Sequence, residues 1–592
     1  MNSPVQQIKE RLSIEEVVSS YIKLDKAGAN FKAKCPFHNE KTPSFFVSPD
    51  RSSYYCFGCG AKGDIFTFVE EFEGLDFKGA LKILAERAGI QLREFNREKE
   101  GEKEKLYRIM EESTEFFEKN LAGNEEVLKY LKERGLEDKT IRDFRIGFVE
   151  NDWRLLYSHL QKEGFTDMEI ERAGLAKKTE KGFYDRFRGR IIFPISDSSG
   201  RIIAFSGRIF ESVPTPEGVG RPTSQENVGP KYLNSPDTPI FSKSAVLYGL
   251  DKAKDSIRKN NFSILVEGQM DLVLSHQAGF RNTVATSGTA LSDSTVSKEN
   301  VVSNLGLLRR LSSNIVLAFD ADRAGFNASS RAGKIALSLG MDVKVISMPE
   351  GVDPADLISR GHSQMGEAKS GVDAWRTTIR NSKHIIEFLL DKALSNYKED
   401  RRKVGKEIRE KILPYINAIE SSIEKSHFIA LVGNKSGIAE SAIMNDFKKV
   451  ESESKFETEE TKTAIENIEK RVRKDSIERR LLGIAFWQES VKNSIINPEL
   501  IFKKLEKVKE NYEDIKEDLI YEAEEFYSDS ENLQKDVNEM LLNIEEEYLN
   551  EELGEKMIEF NNLKDKKEEV EILKKINEIN RRKEEIKNNR GR

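Results

Sequence analysis

The sequence predicts a multidomain α/β protein with a β-rich N-terminal domain, a central α+β region containing a parallel sheet, a helical subdomain and an all-α C-terminal domain. Three observations support this prediction. The chain has 592 residues, and a domain typically takes about 100 to 200. Between residues 262 and 349, strand-like apolar runs alternate with helical patterns, which is typical of a mainly parallel sheet. Beyond residue 375 only helical periodicity is found.

Charge is distributed unevenly along the chain. Residues 451–592 contain 27 Lys and Arg against 38 Asp and Glu, a net charge of -11, whereas residues 1–450 carry +4. A slightly positive body is compatible with nucleic-acid binding although the whole chain carries -7. The N-terminus has no apolar run after a basic start, and no stretch of about 18 apolar residues occurs anywhere. We therefore expect a cytoplasmic protein without membrane contact.

All three cysteines lie beside a histidine in the stretch CPFHNEKTPSFFVSPDRSSYYCFGCG, residues 35–60. The pattern is C-x2-H, 17 intervening residues, then C-x2-C, formed by Cys35, His38, Cys56 and Cys59. Two such pairs suit tetrahedral Zn²⁺, and four protein ligands leave no open position for a catalytic water. We expect one structural zinc. The alternative, scattered buried cysteines beside a surface histidine, does not explain the double spacing.

The residues around these ligands predict a ribbon rather than a helical finger. TPSFFVSPDRSSYYCF alternates like two strands joined at residues 49–51. Asp64 is expected to cap a following helix that ends at Gly74, and Asp76 to open a second one. A zinc ribbon is shared by nucleic-acid binders and structural modules. Aromatic and basic residues around it could bind a single strand, namely Phe45, Phe46, Tyr54, Lys41, Arg51 and Lys62. Alternatively the aromatics, Phe46 and Tyr55 in particular, form the ribbon's own core.

The next segments predict a linker, a helical region and a hairpin. Residues 93–106 are highly charged and are expected to link two domains. Residues 188–210 alternate like a hairpin turned at residues 198–200. A Pro, Gly, Ser and Thr-rich stretch at 212–228 is expected to be an insertion. The irregular segment 229–250 contains groups that suit a phosphate backbone and neighbouring bases, namely Lys231, Tyr232, Asn234 and Lys243. An ordinary interdomain crossover is the alternative.

Acidic residues follow three strands of the predicted parallel sheet. Glu267 follows one strand, Asp320 and Asp322 follow the next, and Asp353 and Asp356 come after the third. Because the carboxyl ends of parallel strands meet at one edge, these oxygen ligands could gather there and hold Mg²⁺ or Mn²⁺. Two such ions could assist an in-line phosphoryl displacement. The alternative is that the acids only cap the following helices.

Residues 1 to about 360 resemble the bacterial replicative DNA primase family. CPFHNEKTPSF and YCFGCGAKGD are similar to that family's zinc-binding domain. DRFRGRIIFPI, PKYLNSP, EGQMD, FDADRAG and DPADL resemble successive motifs of its RNA polymerase domain, which contains a Toprim-type parallel α/β fold. The resemblance implies synthesis of short RNA primers on single-stranded DNA from ribonucleoside triphosphates, with Mg²⁺ or Mn²⁺.

The resemblance also implies roles for individual residues. Glu267, Asp320 and Asp322 are similar to the family's catalytic and metal-binding acids, and Asp353 to a further one. Residues that match basic or polar positions used near template or nucleotide are Arg186, Lys231, Asn234 and Lys243, and Tyr232 is kept beside them as a binding candidate from its own segment. Family members often have an acid directly after the Asp-Pro pair, whereas this chain has Ala355 and then Asp356. That departure puts a metal role for Asp356 in doubt.

The domain division expected from these patterns places the polymerase chemistry in the middle of the chain. We expect a zinc-ribbon domain at 1–98, the N-terminal part of the polymerase domain at 106–250, the Toprim subdomain at 251–365, a helical subdomain at 366–450 and a helical C-terminal domain at 463–592. The resemblance implies that this last domain binds the replicative hexameric helicase. Single-stranded DNA-binding protein is a further expected partner of a monomeric chain. Apolar residues proposed for the helicase contact, or alternatively for a core, are Leu481, Leu482, Ile484, Phe486 and Trp487.

Two other functions fit parts of the sequence. A Toprim nuclease or topoisomerase would use the same acids, but no tyrosine lies in a recognisable nucleophile motif, and the zinc ribbon and PKYLNSP favour priming. A zinc-dependent single-strand-binding adaptor would use the acids only structurally. Unprimed single-stranded DNA with labelled ribonucleotides separates the three by new oligomers, cleaved strands or binding alone.

Overall fold

The chain falls into two units in the computed structural model. The larger unit comprises residues 14–80 and 104–466, and the smaller one residues 1–13, 81–103 and 467–592. The structure describes residues 4–37, 40, 42–58, 61–75, 77–91, 102–179, 182–210, 230–243, 246–286, 298–319, 323–349, 351–360, 370–397, 400–453, 474, 477–491, 494–527, 533–562 and 566–589.

The larger unit begins with an antiparallel ribbon of five strands in sequential order. Its strands are β1 (Asp25–Ala27), β2 (Asn30–Ala33), β3 (Phe45–Ser48), β4 (Ser53–Cys56) and β5 (Lys62–Gly63). The helices before and after it in sequence are α1 (Pro4–Arg11), α2 (Ile14–Ser19), α3 (Ile65–Glu73) and α4 (Phe77–Ala88). The Asp64 carboxylate accepts the N–H groups of Phe66 and Thr67, and α3 ends at Gly74 with φ 68°. The predicted ribbon and the predicted bounds of this helix are therefore confirmed, while Asp76 lies outside the described residues.

A four-stranded antiparallel sheet with surrounding helices follows. Its helices are α5 (Glu102–Ala122), α6 (Glu125–Glu133), α7 (Asp138–Asp143), α8 (Leu155–Lys162) and α9 (Asp167–Arg172). The strands of this region are β6 (Gly147–Val149), β7 (Ala176–Thr179), β8 (Gly182–Asp185), β9 (Arg190–Ser196), β10 (Ile202–Ile209) and β11 (Tyr232–Asn234). The sheet order is β11-β10-β9-β6, and β7 pairs with β8 alone. The hairpin predicted at 188–210 is confirmed as β9 and β10.

Two predictions for this region concern its linker and its insertion. Residues 93–101 of the predicted linker lie outside the described residues, whereas 102–106 form the beginning of α5. The predicted insertion at 212–228 also lies outside them.

The predicted parallel sheet is present with the strand order β13-β12-β14-β15-β16. Its strands are β12 (Ser263–Val266), β13 (Thr283–Ala285), β14 (Asn314–Ala318), β15 (Asp342–Val345) and β16 (Lys383–His384). Helix α10 (Leu250–Asn260) precedes β12, and the helices that follow are α11 (Gln269–Gln277), α12 (Lys298–Leu311), α13 (Arg323–Ser338) and α14 (Pro354–Arg360). β12 to β15 are parallel, and the short edge strand β16 is antiparallel to β15. All residues of β12 are buried, as expected for a strand in a sheet that is covered on both faces.

Helices complete the larger unit, as the amphipathic patterns at 375–445 predict. They are α15 (Gly371–Arg380), α16 (Ile385–Asn396), α17 (Arg401–Glu407), α18 (Leu413–Ala418), α19 (Ser422–Ser436) and α20 (Glu440–Glu453), with a π-helical turn at Ile408–Ile412. The polar linker predicted at 452–462 overlaps the end of α20, and its residues from 454 onward lie outside the described residues.

Beyond residue 470, the described residues of the smaller unit are mostly helical. Its helices are α21 (residues 477–490), α22 (Pro498–Lys504), α23 (Glu506–Lys509), α24 (Lys516–Tyr527), α25 (Leu533–Asn562) and α26 (Lys566–Asn589). The five apolar residues of α21 that the sequence offered for a helicase contact are all buried, between 0% and 7% exposed, in the core of these helices. These residues are therefore not an exposed helicase contact. They form the core of the tail's own helices, as the alternative predicted.

The ribbon packs against the rest of the larger unit. Ser198, in the turn between β9 and β10, donates its hydroxyl to the carbonyl oxygen of Glu73 at 2.8 Å. Arg310 of α12 donates to the carbonyl oxygen of Glu71. Arg258 of α10 stacks over the ring of Tyr21, 4.5 Å from its centroid. Since α10 and α12 end just before β12 and β14 begin, the ribbon lies at the amino edge of the parallel sheet.

Candidate active site and metal centre

The carboxyl edge of the parallel sheet is formed by the ends of β12 and β14. These strands are neighbours, with Val266 opposite Ala318. Glu267 follows Val266 directly and is half-buried. Asp320 and Asp322 follow β14 in sequence but lie outside the described residues. The edge thus places Glu267 beside the point where the segment containing FDADRAG leaves the sheet.

Asp271 connects two of the acidic segments, and the sequence did not single it out. Its carboxylate accepts the N–H of Gly268 at 3.1 Å through one oxygen and the N–H of Ala355 at 3.0 Å through the other. It is 8% exposed. One side chain therefore fixes the loop that carries Glu267 to the loop that carries Asp353. The only signal in the sequence was an acid three residues after Gly268, at the start of α11.

Asp353 and Asp356 have different neighbours. Asp353 accepts the N–H of Asp356 at 2.6 Å, so it caps the start of α14. The carboxylate of Asp356 lies 3.4 Å from the guanidinium of Arg134. Asp353 therefore has the helix-capping contact that the sequence allowed as an alternative, and Asp356 is engaged by an arginine.

Arginine and tyrosine side chains lie next to this edge. Arg208 of β10 donates to the hydroxyl oxygen of Tyr232 at 3.1 Å, and burial raises the pKa of Tyr232. Arg186 donates twice, at 2.8 and 3.1 Å, to the carbonyl oxygen of Asn234, and burial lowers the pKa of Arg186. Arg186, which lies between β8 and β9, is thus brought to the predicted residues Tyr232 and Asn234 of β11, while Arg208 was missed.

The segment with the two predicted lysines is held by a buried arginine. Arg190, 5% exposed, donates to the carbonyl oxygens of Gly207 at 2.9 Å and Pro230 at 3.0 Å. Lys231 is exposed. The N–H of Lys243 donates to the carboxylate of Asp237 at 2.8 Å, which orders the loop after β11.

An aromatic and basic surface, which we call the Trp153 platform, lies near Arg186. It consists of Trp153, Tyr184 and Arg188. The Arg188 guanidinium is 4.3 Å from the Trp153 ring centroid and 5.2 Å from that of Tyr184, and Trp153 is 57% exposed. The buried Asp185 accepts the N–H groups of Leu156 and Tyr157 and so fixes α8 beside the platform. The sequence pattern did not reveal this surface because its residues come from separate elements.

The ribbon presents two of the four predicted zinc ligands among the described residues. Cys35 and Cys56 are both buried, and neither is in a disulfide. The N–H of Phe37 donates to Sγ of Cys35 at 3.4 Å, and the Ser44 hydroxyl lies 3.2 Å from Sγ of Cys56. A backbone N–H directed at a buried sulfur suits a thiolate that binds a cation. The Ser44 hydroxyl donates to the carboxylate of Glu40. The described residues fit a zinc site, and His38 and Cys59 lie outside them.

The burial of the ribbon's aromatic residues differs from the sequence prediction. Phe45 and Tyr54, expected to face a nucleic acid, are 0% and 2% exposed and stack on each other in the core. Tyr55 is 40% and Phe57 71% exposed, and Phe46 contacts Phe57 on the same face. Tyr55 was assigned to the core as an alternative, and that alternative is wrong. Strand alternation places Phe45 and Phe46 on opposite faces, and the sequence did not reveal which face is buried.

Comparison with known proteins agrees with the fold. The chain matches family models described as CHC2 zinc finger at residues 1–100, DNA primase catalytic core, N-terminal domain, at 116–254, and Toprim-like at 264–358. A zinc ribbon joined to a Toprim-containing core defines an RNA-polymerising nucleotidyltransferase.

Curated relatives show which family of nucleotidyltransferases the chain belongs to. The chain is 36% identical to a DNA primase of Clostridium acetobutylicum over 74% of this chain and 68% of that protein. It is 38% identical to a DNA primase of Staphylococcus aureus over 75% of this chain and 67% of that protein. The chain belongs to the bacterial DNA primases, the enzymes that make RNA primers for DNA replication.

A solved structure is also similar. It is the Aquifex aeolicus primase (zinc-binding and RNA polymerase domains), 30% identical, covering 75% of this chain and 99% of that one, with a TM-score of 0.48. Across the described ranges, every helix is too short or too polar to cross a membrane.

Proposed function

We propose that Glu267, Asp320 and Asp322 are the catalytic acids of this primase and that, with Asp353, they hold Mg²⁺ or Mn²⁺. When bound, these ions supply the positive charge that stabilises attacking and leaving oxygens in an in-line displacement. Carboxylate oxygens are the ligands that such hard cations prefer. Support comes from the pairing of Val266 with Ala318 at the neighbouring ends of β12 and β14, since Glu267 follows β12 and Asp320 and Asp322 follow β14 in sequence.

The observation that best supports this proposal is the double hydrogen bond of Asp271. It ties the loop of Glu267 to the loop of Asp353, although Asp271 and Ala355 are 84 positions apart in the sequence. Loops fixed in this way keep their carboxylates in one arrangement, as preorganised charge stabilisation requires.

Template and nucleotide are proposed to lie along the neighbouring basic surface. Arg186, Lys231, Tyr232, Asn234 and Lys243 are proposed to contact phosphate, base or incoming nucleotide. We add Arg208 to these proposed binding residues, because it donates a hydrogen bond to the hydroxyl oxygen of Tyr232. The Trp153 platform offers an exposed ring and a guanidinium, which suit stacking with unpaired bases.

The zinc site is proposed to consist of Cys35, His38, Cys56 and Cys59, with a structural role. The zinc would fix the two turns that flank β3 and β4, while Tyr55 and Phe57 present an exposed aromatic face to the template. We retain as a proposal the division of the chain into domains at 1–98, 106–250, 251–365, 366–450 and 463–592.

Partners beyond DNA and nucleotides are proposed for the tail. We assign to residues 463–592 the binding of the hexameric replicative helicase, and retain single-stranded DNA-binding protein as a second partner, at replication forks in the cytoplasm. Since the apolar residues of α21 are buried, exposed Ile495 and Leu500, 67% and 61% exposed, replace them as contact residues.

The test is primer synthesis on unprimed single-stranded DNA with labelled ribonucleotides. Glu267→Gln and Asp320→Asn are expected to abolish synthesis while DNA binding and circular dichroism stay unchanged, because binding depends on other groups. Asp373→Asn, at an exposed helix start, serves as the matched control. Synthesis at the wild-type rate by either active-site variant at limiting Mg²⁺ would reject the assignment.

A further inference from the structure

A second group of metal-ligating side chains lies on helices α5 and α8. It consists of Glu112 on α5, His159 on α8 and Glu163, which ends α8. One ligand atom of each residue lies within 4.8 Å of the ligand atoms of the other two. These three residues, which we call the His159 cluster, belong to none of the polymerase or zinc motifs.

The imidazole of His159 is held from two sides. Its ring stacks on Phe116, with centroids 4.7 Å apart and planes inclined by 27°. Its Nε2 atom lies 2.9 Å from Oε1 of Glu112. His159 and Glu163 are four residues apart at the end of one helix, so their side chains share a face. The packing of α5 beside α8 therefore brings the ligand atoms together.

The charges of the His159 cluster are unbalanced. Nε2 can share one proton with one carboxylate, yet two carboxylates are close to it. In the described part of the chain, the salt bridge of Glu112 is to His159, and neither glutamate pairs with a lysine or arginine. The cluster is therefore net negative, and a divalent cation would neutralise it.

We propose that Glu112, His159 and Glu163 form a second, exchangeable site for a divalent first-row transition ion such as Zn²⁺. Bonds of about 2.0–2.2 Å to imidazole nitrogen and carboxylate oxygen would place the ligand atoms roughly 3 to 4 Å apart. The observed spacing accommodates this. Imidazole combined with carboxylate suits zinc, whereas Mg²⁺ prefers oxygen ligands alone. With three protein ligands the site is expected to bind more weakly than the ribbon and to connect α5 with α8.

The test is zinc titration of the full-length protein, with the ribbon already loaded and excess Mg²⁺ present to occupy the acidic edge. A colorimetric chelator competes for the added zinc. Wild type is expected to bind one tight and one exchangeable zinc per chain. His159→Gln should weaken the exchangeable site at least ~10-fold, since even disturbing an outer partner of a metal ligand costs that much. His427→Gln removes an exposed histidine on α19 and should bind like wild type.

Thermal unfolding gives a second readout that does not depend on the chelator. The added zinc should raise Tm in wild type and in His427→Gln but not in His159→Gln, because a ligand stabilises only the state that binds it. The proposal fails if wild type takes up a single zinc, or if His159→Gln binds the exchangeable zinc as well as wild type does. Loss of the exchangeable zinc in His427→Gln would equally exclude the His159 cluster.

Discussion

The carboxylate of Glu73 lies 2.9 Å from the guanidinium of Arg258 and 3.2 Å from the ammonium of Lys254, and its side chain is 3% exposed. Glu73 is the last residue of α3. A carboxylate there is unfavourable for the helix itself, because the C-terminus is the negative end of the helix dipole. Its position is explained by the packing of the ribbon against α10.

Glu73→Gln is expected to weaken this packing. The amide keeps the shape but leaves two cations without their carboxylate. Breaking a buried ion pair costs about 3–5 kcal/mol, and a smaller cost is expected here because both cations keep some contact with water. Distances between spin labels on the ribbon and on the body measure the undocked fraction. Asp255→Asn removes the exposed partner of the same Arg258 and should change nothing. Equal distances in Glu73→Gln and wild type would contradict the expectation.

Asp271→Asn is expected to reduce primer synthesis strongly without unfolding the protein. An amide has one acceptor oxygen, so it can hold only one of the two N–H groups of Gly268 and Ala355, and the loops of the acidic edge lose their common anchor. Steady-state rates over a Mg²⁺ titration measure the effect. A defect that excess Mg²⁺ overcomes would show that Asp271 acts on metal affinity, and wild-type behaviour at all concentrations would show that the anchor is dispensable.

Cys56→Ser is expected to lose the ribbon zinc and to impair initiation, while the polymerase body stays folded. A hydroxyl is a poor substitute for a thiolate in a zinc site. Metal analysis after dialysis measures the loss, and Ser53→Ala, at the start of the same strand, is the control. Tight zinc retained by Cys56→Ser would remove this residue from the ligand set.

Replacing His276 is expected to change the pH dependence of stability. Nε2 of His276 lies 2.8 Å from the carbonyl oxygen of Thr283, and burial lowers the pKa of His276 to about 4. Because the pKa in the unfolded chain is about 6.5, unfolding takes up a proton between these values. The stability due to the neutral imidazole is present above pH 6.5 and is lost as pH falls through 4.

Urea midpoints at several pH values measure this dependence. His276→Gln should lower stability at pH 7 and flatten the decline between pH 6.5 and 4 by up to about 1.4 kcal/mol per pH unit. His384, whose pKa burial also lowers to about 4, should maintain part of the decline. His427→Gln, at an exposed site, should follow wild type, and an unchanged slope in His276→Gln would refute the expectation.

Truncation near residue 450 is expected to preserve primer synthesis but to abolish stimulation by the cognate hexameric helicase. Residues 451–592 contain none of the proposed chemistry, and their net charge of -11 would repel DNA. Full-length and truncated proteins are compared on one template with and without helicase. Equal stimulation would show that the tail is not the coupling element, and loss of basal synthesis would assign it to the catalytic body.

The sequence predicted those features that depend on neighbouring residues. The cap by Asp64, the end of α3 at Gly74 and the β9–β10 hairpin depend on local chemistry, and the structure confirms them. The order of strands and acids along the chain likewise predicted the parallel sheet with Glu267 at its carboxyl edge. The identity of the metal ligands stays a prediction.

Features that depend on distant residues could not be predicted. Asp271 is recognisable only once Ala355 lies beside it, and the Trp153 platform requires Arg188 to return to the same surface. The burial of Leu481 and Phe486 depends on helices far along the chain. Periodicity shows which side chains share one face of a helix or strand, but it does not identify the element that covers that face.

The antiparallel strand β16 has a consequence for how the catalytic sheet is made. β15 ends at Val345, and Lys383 is the residue that pairs with it. During synthesis the ribosome therefore adds nearly forty residues while the backbone of β15 has an open edge, and open edges invite pairing with other chains. A fragment that stops at residue 365 would keep that edge permanently. Fragments for crystallisation or screening should extend beyond His384 to remain free of aggregation.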